Sequence, residues 1–342
     1  MNKKMRKWST TALLLAGVLT LSACGSNNGN DTSNAGNNGN AKANTATAST
    51  KDGEKPYIPI ISKGFQHQFW QAVKQGAEQA AAEFKVDITF EGPETEEQVD
   101  KQLEMLQVAL DKKPSAIGFA ALDSKASAPL LQKAKDGNIP VIAFDSGVDS
   151  DIPLTTASTD NLKAAALAAD KMAELIGQKG EIAVVAHDQT SLTGVQRRDG
   201  FVNEIKEKYP DIKIVDIQYG GDNLKATDLT KAILQSHPNL KGIFGTNEGA
   251  ATGVVNGVTE AKMDGKVVII GFDSGKTQMD AIRSGKMAGA ITQNPVGIGY
   301  ETVKAAVEAI KGDKLPKSID TGFYWYDKTN IDDAKIKAVL YE

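Results

Sequence analysis

Polar and charged side chains follow the carboxyl ends of several apolar runs in this sequence. Asp145 with Ser146 ends one run, and Asp273 with Ser274 ends another. In open α/β sheets, ligands bind beyond the carboxyl ends of the strands. The other candidates at such ends are Lys63 to Trp70, Arg197, Asn247 with Glu248, and Gln293 with Asn294.

The types of these side chains suit a polyhydroxylated ligand. Carboxylates accept hydrogen bonds, a guanidinium donates in a rigid fork, and amides do both. Phe69 and Trp70 could cover the apolar C–H faces of a sugar ring. Alternatives remain, because Asp before Ser-Gly is often a turn or helix cap, and Phe69 at helical spacing is often a core residue. The lone His187 and His237 are expected to be structural or exposed.

Signals for catalysis are weak. Residues 271–275 read Gly-Phe-Asp-Ser-Gly, which puts Asp where a G-x-S-x-G nucleophile would stand. There is no G-x-G-x-x-G after the first strand and no P-loop, so no nucleotide cofactor is expected. One cysteine and three unclustered histidines do not suggest a metal site. Asp145 and Asp273 could instead form a glycosidase carboxylate pair, and we consider that alternative unfavourable.

Length and composition favour a protein of two ordinary domains. The 342 residues are 41% hydrophobic, and 39 basic against 43 acidic side chains give a net charge of −4. This balance argues against binding of nucleic acid to a basic face.

The first 55 residues resemble a secretory signal peptide followed by a flexible tether. Residues 1–23 combine a basic start with a short apolar run, as in a secretory signal peptide. The segment Leu21-Ser22-Ala23-Cys24 resembles the bacterial lipobox, which implies lipidation of Cys24, for example with palmitate, and attachment to the outer face of the cell membrane. Residues 24–55 are rich in Gly, Asn, Ser, Thr and Ala, a composition that predicts a flexible tether.

Short apolar runs alternate with helical patterns from residue 57 onward. Apolar residues at helical spacing predict helices over 66–84 and 96–112. The alternation predicts an α/β fold with parallel sheets covered by helices, although Pro59 fits poorly inside a strand. The predicted strands are 58–62, 86–91, 116–121, 141–144, 182–186, 212–217, 242–246, 267–272 and 287–292.

An internal repeat indicates two similar lobes. Residues 136–147 match residues 264–275 at an offset of 128, with seven of twelve positions identical. Both copies end in Phe-Asp-Ser-Gly. An offset near one domain length favours two related lobes over a solenoid of short units.

These motifs together resemble the ribose-type sugar-binding proteins of bacterial ABC importers. The resemblance covers residues 57–327 and is carried in order by Phe69-Trp70, residues 141–145 (Val-Ile-Ala-Phe-Asp), Arg197 before Gly200-Phe201, Asn247-Glu248, residues 271–273 (Gly-Phe-Asp) and Gln293. With the lipobox, the chain resembles the lipid-anchored Gram-positive form.

The resemblance implies two Rossmann-like lobes joined by a three-crossover hinge, with crossovers near 158–160, 293–294 and 320–322. It implies a first lobe of residues 56–158 plus 294–321 and a second of 159–293 plus 322–342. It places sugar contacts at Lys63, His67, Phe69, Trp70, Asp145, Ser146, Arg197, Asn247, Asp273 and Gln293.

Some positions depart from the ribose-type pattern. Ribose-type members carry small or amide residues at 63 and 67, Phe at 70 and Arg at 146, and an aromatic contact falls on Gly221, near Tyr219. The resemblance therefore implies a monosaccharide or a cyclitol as ligand without naming it.

The implied partners are ABC permease subunits, with the chain as a monomer that needs no cofactor. An alternative is a sensor that presents a sugar or furanose-like signal to a membrane receptor.

Overall fold

The computed structural model describes residues 55–341. The predicted signal peptide, Cys24 and the predicted tether up to residue 54 lie outside these residues. Among the described residues, no helix has the length and apolar character needed to cross a membrane.

The described residues form alternating strands and helices. The strands are Tyr57–Ile61 (β1), Asp87–Glu91 (β2), Ile117–Phe119 (β3), Val141–Phe144 (β4), Thr155–Ser158 (β5), Gly180–Ala186 (β6), Ile212–Tyr219 (β7), Leu240–Gly245 (β8), Val268–Phe272 (β9), Gly289–Gln293 (β10), Ser318–Asp320 (β11) and Phe323–Asp327 (β12). The helices are Gln68–Phe84 (α1), Val99–Asp111 (α2), Ala128–Asp136 (α3), Asn161–Ile176 (α4), Leu192–Lys208 (α5), Asn223–Ser236 (α6), Glu248–Glu260 (α7), Lys276–Ser284 (α8), Pro295–Lys311 (α9) and Ala334–Lys337 (α10).

The strands form two six-stranded sheets of matching order. The first sheet runs β2-β1-β3-β4-β5-β11 and the second runs β7-β6-β8-β9-β10-β12. All pairings are parallel except that of β10 with β12. The chain passes between the sheets after β5, β10 and β11. The predicted fold of two α/β lobes joined by three crossovers is confirmed.

Each sheet is covered by helices on both faces. In the first lobe, α1 and α9 cover one face and α2 and α3 cover the other. In the second lobe, α6, α7 and α8 cover one face and α4 and α5 cover the other. Burial on both faces explains why most strands read as continuous apolar runs rather than as alternating patterns.

The nine predicted strands all form, with bounds that differ by at most two residues. Three further strands carry no such signal. Residues Thr155–Ser158 of β5 are mostly hydroxylic, and β11 has only three residues at the edge of its sheet. The antiparallel edge strand β12 is rich in aromatic residues and only partly buried. Edge positions need less apolar surface, which explains the missing signal of β11 and β12. Strand β5 lies inside its sheet and is missed because its residues are mostly hydroxylic.

Pro59 lies in β1, between β2 and β3. The carbonyls of Tyr57 and Ile61 accept from Ser115 N and Ala120 N, both at 2.9 Å, so odd-numbered residues of β1 face β3. Pro59 therefore lacks a donor on the side of β1 that faces β3, between these two hydrogen bonds. The hydrogen bonds on either side keep β1 next to β3 around the missing donor.

Two glycines let α1 and α9 pack backbone to backbone. A Cβ atom on Gly76 would lie 1.9 Å from Val296 O, and one on Gly299 would lie 1.9 Å from Val73 O. Glycine is required at such a close approach. This contact fixes α1, whose first turn carries Phe69 and Trp70.

Candidate ligand-binding site

A small cavity lies between the carboxyl ends of the two sheets. Both lobes contribute to its wall. The lining residues are Lys63, His67, Phe69, Trp70, Glu96, Asp145, His187, Arg197, Asn247, Asp273 and Gln293.

Nine of the ten predicted contacts line this one cavity, and Ser146 does not. Ser146 is buried next to Asp145, but its hydroxyl has no hydrogen-bond partner among the described residues. Glu96 and His187 line the cavity although the sequence analysis did not select them.

A buried ion cluster forms the first-lobe half of the wall. The Lys63 ammonium lies 3.6 Å from Glu96 Oε2 and 3.9 Å from Asp145 Oδ2. Glu96, in the loop after β2, also accepts a hydrogen bond from Trp70 Nε1 at 2.7 Å. The carboxylate of Glu96 therefore orients both Lys63 and Trp70.

Burial and pairing set the charges of this cluster. Burial alone would lower the pKa of Lys63, but Glu96 and Asp145 outweigh it and the pKa is raised. Burial opposes ionisation of Glu96, yet the charge of Lys63 and the hydrogen bond from Trp70 hold its pKa at about 2. Burial raises the pKa of Asp145 to about 6 despite Lys63 and Arg197. The nearby cations Lys63 and Arg197 thus do not fully offset the cost of burying the ionised Asp145 carboxylate.

Arg197 of α5 is held rigidly in the second lobe. Its Nε donates to Asn161 Oδ1 at 2.7 Å, and its Nη1 donates to Thr246 O at 3.0 Å. The guanidinium carbon lies 3.8 Å from the centre of the Phe272 ring. These contacts fix the plane of the guanidinium, which makes it a preorganised donor.

Asp273 links the cavity to the hinge. Its Oδ1 accepts from Gln293 Nε2 at 2.7 Å, and its Oδ2 accepts from Glu248 N at 2.9 Å. Gln293 Oε1 in turn accepts from Thr159 Oγ1 at 2.9 Å. Thr159 and Gln293 lie at two of the three crossovers. A series of hydrogen bonds therefore connects the wall of the cavity to the segments that join the lobes.

His187 lies directly after β6 and is buried in a network of hydroxyls. Its amide donates to Thr246 Oγ1 at 2.9 Å, so the Thr246 hydroxyl is free to donate to His187 Nδ1 at 2.7 Å. Nε2 then carries the proton and donates to Thr193 Oγ1 at 3.2 Å. Burial lowers the pKa of His187, with Lys63 and Arg197 acting in the same direction, so the ring is neutral. The ring is thus a buried, hydrogen-bonded histidine that also lines the cavity.

Asn247 has a structural bond as well as a place in the wall. Its Oδ1 caps α7 by accepting from Ala250 N at 2.8 Å, and its Nδ2 lies 3.5 Å from His67 Nε2. Gly221 lies against His187. A Cβ atom on Gly221 would lie 3.0 Å from His187 O and 3.1 Å from His187 Cβ. His187 therefore stands close to position 221, where the resemblance places an aromatic contact, and a larger residue at 221 would displace it.

Phe69 and Trp70 belong to both the cavity wall and the first-lobe core. Their rings meet edge to face at a centroid distance of 4.9 Å, and Trp70 also contacts Phe144 at 6.3 Å. Both rings are therefore core residues that also border the cavity. Such rings present rigid apolar faces next to the polar groups described above.

Hydrogen bonds cross the cleft between the lobes at several points. Lys63 Nζ donates to Thr193 Oγ1 at 3.1 Å, and Ser124 N donates to Thr190 O at 3.0 Å. The side chains that line the cavity are therefore held in a closed arrangement of the two lobes. Among residues 55–341, no group of three or more His, Cys, Asp or Glu side chains is arranged to hold a metal ion.

Residues 58–314 match the family model described as a periplasmic binding protein domain. The chain belongs to this family. It is of the ribose type of sugar-binding protein from ABC importers, as the resemblance implied, and the members of this group are binding proteins rather than enzymes.

Similar proteins agree with this assignment. The chain is 28% identical over 265 residues to the D-allose-binding periplasmic protein of Escherichia coli K12, an alignment that covers 75% of this chain and 85% of that protein. A carbohydrate transporter solute-binding protein from Agrobacterium radiobacter, in complex with D-arabinose, has a TM-score of 0.81 at 32% identity. The superposition covers 84% of this chain and 100% of the Agrobacterium radiobacter protein. A solute-binding protein from Agrobacterium vitis with bound D-fucose has a TM-score of 0.81 at 33% identity. That superposition covers 83% of this chain and 100% of the Agrobacterium vitis protein.

Proposed function

We propose that this protein binds one neutral monosaccharide, or a cyclitol of similar size, and delivers it to an ABC permease. The observation that carries the proposal is the cavity, where donors and acceptors from two lobes surround a space with an aromatic wall. Relatives bind D-allose, D-arabinose and D-fucose, which are all single sugar units.

The size of the cavity supports one ring rather than two. Side chains of both lobes close around it, and the Lys63 ammonium of the first lobe already donates to Thr193 Oγ1 of the second lobe at 3.1 Å. A disaccharide would require the lobes to stay apart.

The charges of the cavity favour an uncharged ligand. Lys63 is already paired with Glu96 and Asp145, and Arg197 lies 3.9 Å from Asp273. A sugar acid would bring a further carboxylate next to these three acids. Hydroxyl groups can bond to both members of each pair without disturbing the balance.

The proposed mechanism is closure about the hinge. The two lobes are residues 56–158 plus 294–321 and residues 159–293 plus 322–342. A sugar first contacts one lobe. The other lobe then rotates onto the sugar and excludes water. The closed form presents surfaces of both lobes to the permease, and the ligand shifts the equilibrium only by its preference for that form.

A thermal-shift panel tests this function. The panel contains D-allose, D-ribose, D-arabinose, D-fucose and myo-inositol, with maltose and D-gluconate as controls of size and charge. A ligand at 1,000 times its dissociation constant adds about 4 kcal/mol to the free energy of unfolding. That gain raises the melting temperature by several degrees. We expect at least one neutral monosaccharide or cyclitol to give such a shift. A shift with maltose or gluconate alone would overturn the proposal.

We also propose that Cys24 is lipidated and that residues 24–55 tether a monomeric body to the outer face of the cell membrane. The lipobox-like segment ending at Cys24 supports this. Mass spectrometry of the membrane-extracted protein should show a diacylglyceryl adduct on an N-terminal Cys24, and Cys24→Ser should release the protein into the medium. An unmodified residue 24 would refute the anchor.

A further inference from the structure

Glu248 does not line the cavity, yet its carboxylate crosses the cleft. It is the first residue of α7 in the second lobe. Its Oε1 accepts from Gln68 N and its Oε2 accepts from Phe69 N, both at 3.2 Å. These two amides open α1 of the first lobe. The residue preceding α1, His67, makes no side-chain cap of its own, so the cap of α1 comes from the opposite lobe.

A second cap runs in the opposite direction. Gln68 Oε1 accepts from Lys276 N at 2.8 Å, and this amide opens α8 of the second lobe. The residue before α8 is Gly275, where a Cβ atom would lie 2.6 Å from Glu248 Oε1 and 3.2 Å from Gln68 Oε1. Glycine therefore supplies no cap and leaves room for both side chains.

The unpaired amides at the start of a helix explain why these bonds favour the closed form. The first amides of a helix have no partner within it, and they lie at the positive end of the helix dipole. A carboxylate satisfies both needs, but here it reaches α1 only when the lobes are together. Opening returns the amides and the carboxylate to water, so the bonds stabilise the closed form alone.

The same residue is connected to the ligand wall. Glu248 N donates to Asp273 Oδ2, and Phe69, whose amide is capped, contributes its ring to the cavity. Ligand groups that order Asp273 therefore also order the start of α7. The contact between helices and the contact with ligand reinforce each other.

We propose that Glu248 and Gln68 form a reciprocal interlobe latch, in which each caps a helix of the opposite lobe and so sets the stability of the closed form. This inference rests on the proposed closure around a ligand. Glu248 acts as a positioning residue, and the apparent dissociation constant of any ligand rises when the closed form is less populated.

The binding test uses Glu248→Ala, with Gln68→Ala as a second variant. The matched control is Glu97→Gln, because Glu97 pairs with Lys225 across the cleft at 3.3 Å while both side chains are more than half exposed. Titration calorimetry and stopped-flow dissociation use the two panel sugars with the largest thermal shifts. We expect Glu248→Ala to weaken both sugars about tenfold by faster dissociation, with their affinity ratio unchanged, and the control to change affinity less than twofold. Unchanged affinity in Glu248→Ala and Gln68→Ala, or a changed ratio, would overturn the latch.

A ligand-free measurement separates this inference from the proposed function. Spin labels at Glu97→Cys and Lys225→Cys, in a Cys24→Ser background that removes the other thiol, report the width of the cleft. Adding Glu248→Ala should lengthen the mean label distance or its long component. An identical distribution would overturn the latch, whereas a lengthened one alongside a silent sugar panel would refute the ligand class and keep the latch. Equal far-ultraviolet circular dichroism of the variants shows that they are folded.

Discussion

Asp145 and Asp273 occupy the same position in the two lobes and face the same cavity. Both follow the fourth strand of their sheet, and both have a left-handed backbone, with φ of 52° and 80°. Asp145 N donates to Ala157 O at 2.9 Å and Asp273 N donates to Ile291 O at 2.6 Å, in each case to the next strand. Non-glycine residues rarely adopt this conformation, and such strain is concentrated at functional sites. The repeat found in the sequence therefore yields two opposed carboxylates.

Asp273→Asn tests the proposed sugar contact in the second lobe. The change keeps the shape of the side chain but removes a charged acceptor that also holds Gln293 and Glu248 N. We expect affinity for the panel sugars to fall about ten- to a hundredfold, the equivalent of ~1.5–3 kcal/mol for a lost charged hydrogen bond. Calorimetry measures the loss, with Asp228→Asn on exposed α6 as the control. Affinity within twofold of the original would remove Asp273 from the site.

Asp145→Asn should separate stability from binding. Its folded pKa of about 6 lies above the ordinary value of 3.8, so ionisation of Asp145 costs stability as pH rises from about 4 to 6, and the full cost persists above pH 6. Two pKa units correspond to on the order of 3 kcal/mol. We expect the ligand-free variant to be more stable than the original protein at pH 7.5 and equal to it near pH 4, while sugar affinity falls.

Thermal unfolding across this pH range measures the difference between the two proteins. Taking the difference removes the contribution of His187, whose lowered pKa acts in the opposite direction. A variant that is less stable at pH 7.5 would show that Asp145 is adequately paired.

Lys63 and Glu96 should behave as a coupled pair. Lys63→Met leaves two carboxylates buried without their shared cation, and removing one partner of a buried ion pair costs about 3–5 kcal/mol. Glu96→Gln restores part of that balance, so the double variant should be more stable than Lys63→Met alone. Urea unfolding of the four proteins gives the coupling free energy. Strict additivity would mean that the two charges do not interact.

Gly76→Ala tests the seat of α1. The new methyl group would overlap Val296 O and separate α1 from α9, at a cost of about 1–3 kcal/mol in unfolding free energy. Phe69 and Trp70 would shift with the helix, so sugar affinity should fall as well. Gln79→Ala, on the exposed side of α1, is the matched control and should change neither quantity. Unchanged stability in Gly76→Ala would show that the helices can move apart freely.

The residues missed in the sequence were missed for different reasons. His187 directly follows β6, so the strand-end rule that selected Asp145 could have selected it. Glu96 is one of several acidic residues in the stretch 91–97, and no local pattern distinguishes it from Glu94 or Glu97. Only the folded loop shows that Glu96 turns inward to Lys63 and Trp70 while Glu97 stays exposed.

The sequence by itself determined the α/β class, nine strands, the two-lobe repeat and most of the residues around the cavity. It could do so because buried strands need continuous apolar runs, and parallel strands bring their carboxyl ends to one edge. Tertiary structure alone decided that Asp145 lines the cavity while Ser146 does not, how the charges are paired, and that Glu248 caps a helix 180 residues away in sequence. Those facts depend on side-chain directions and on the approach of two lobes, which have no local signal in the chain.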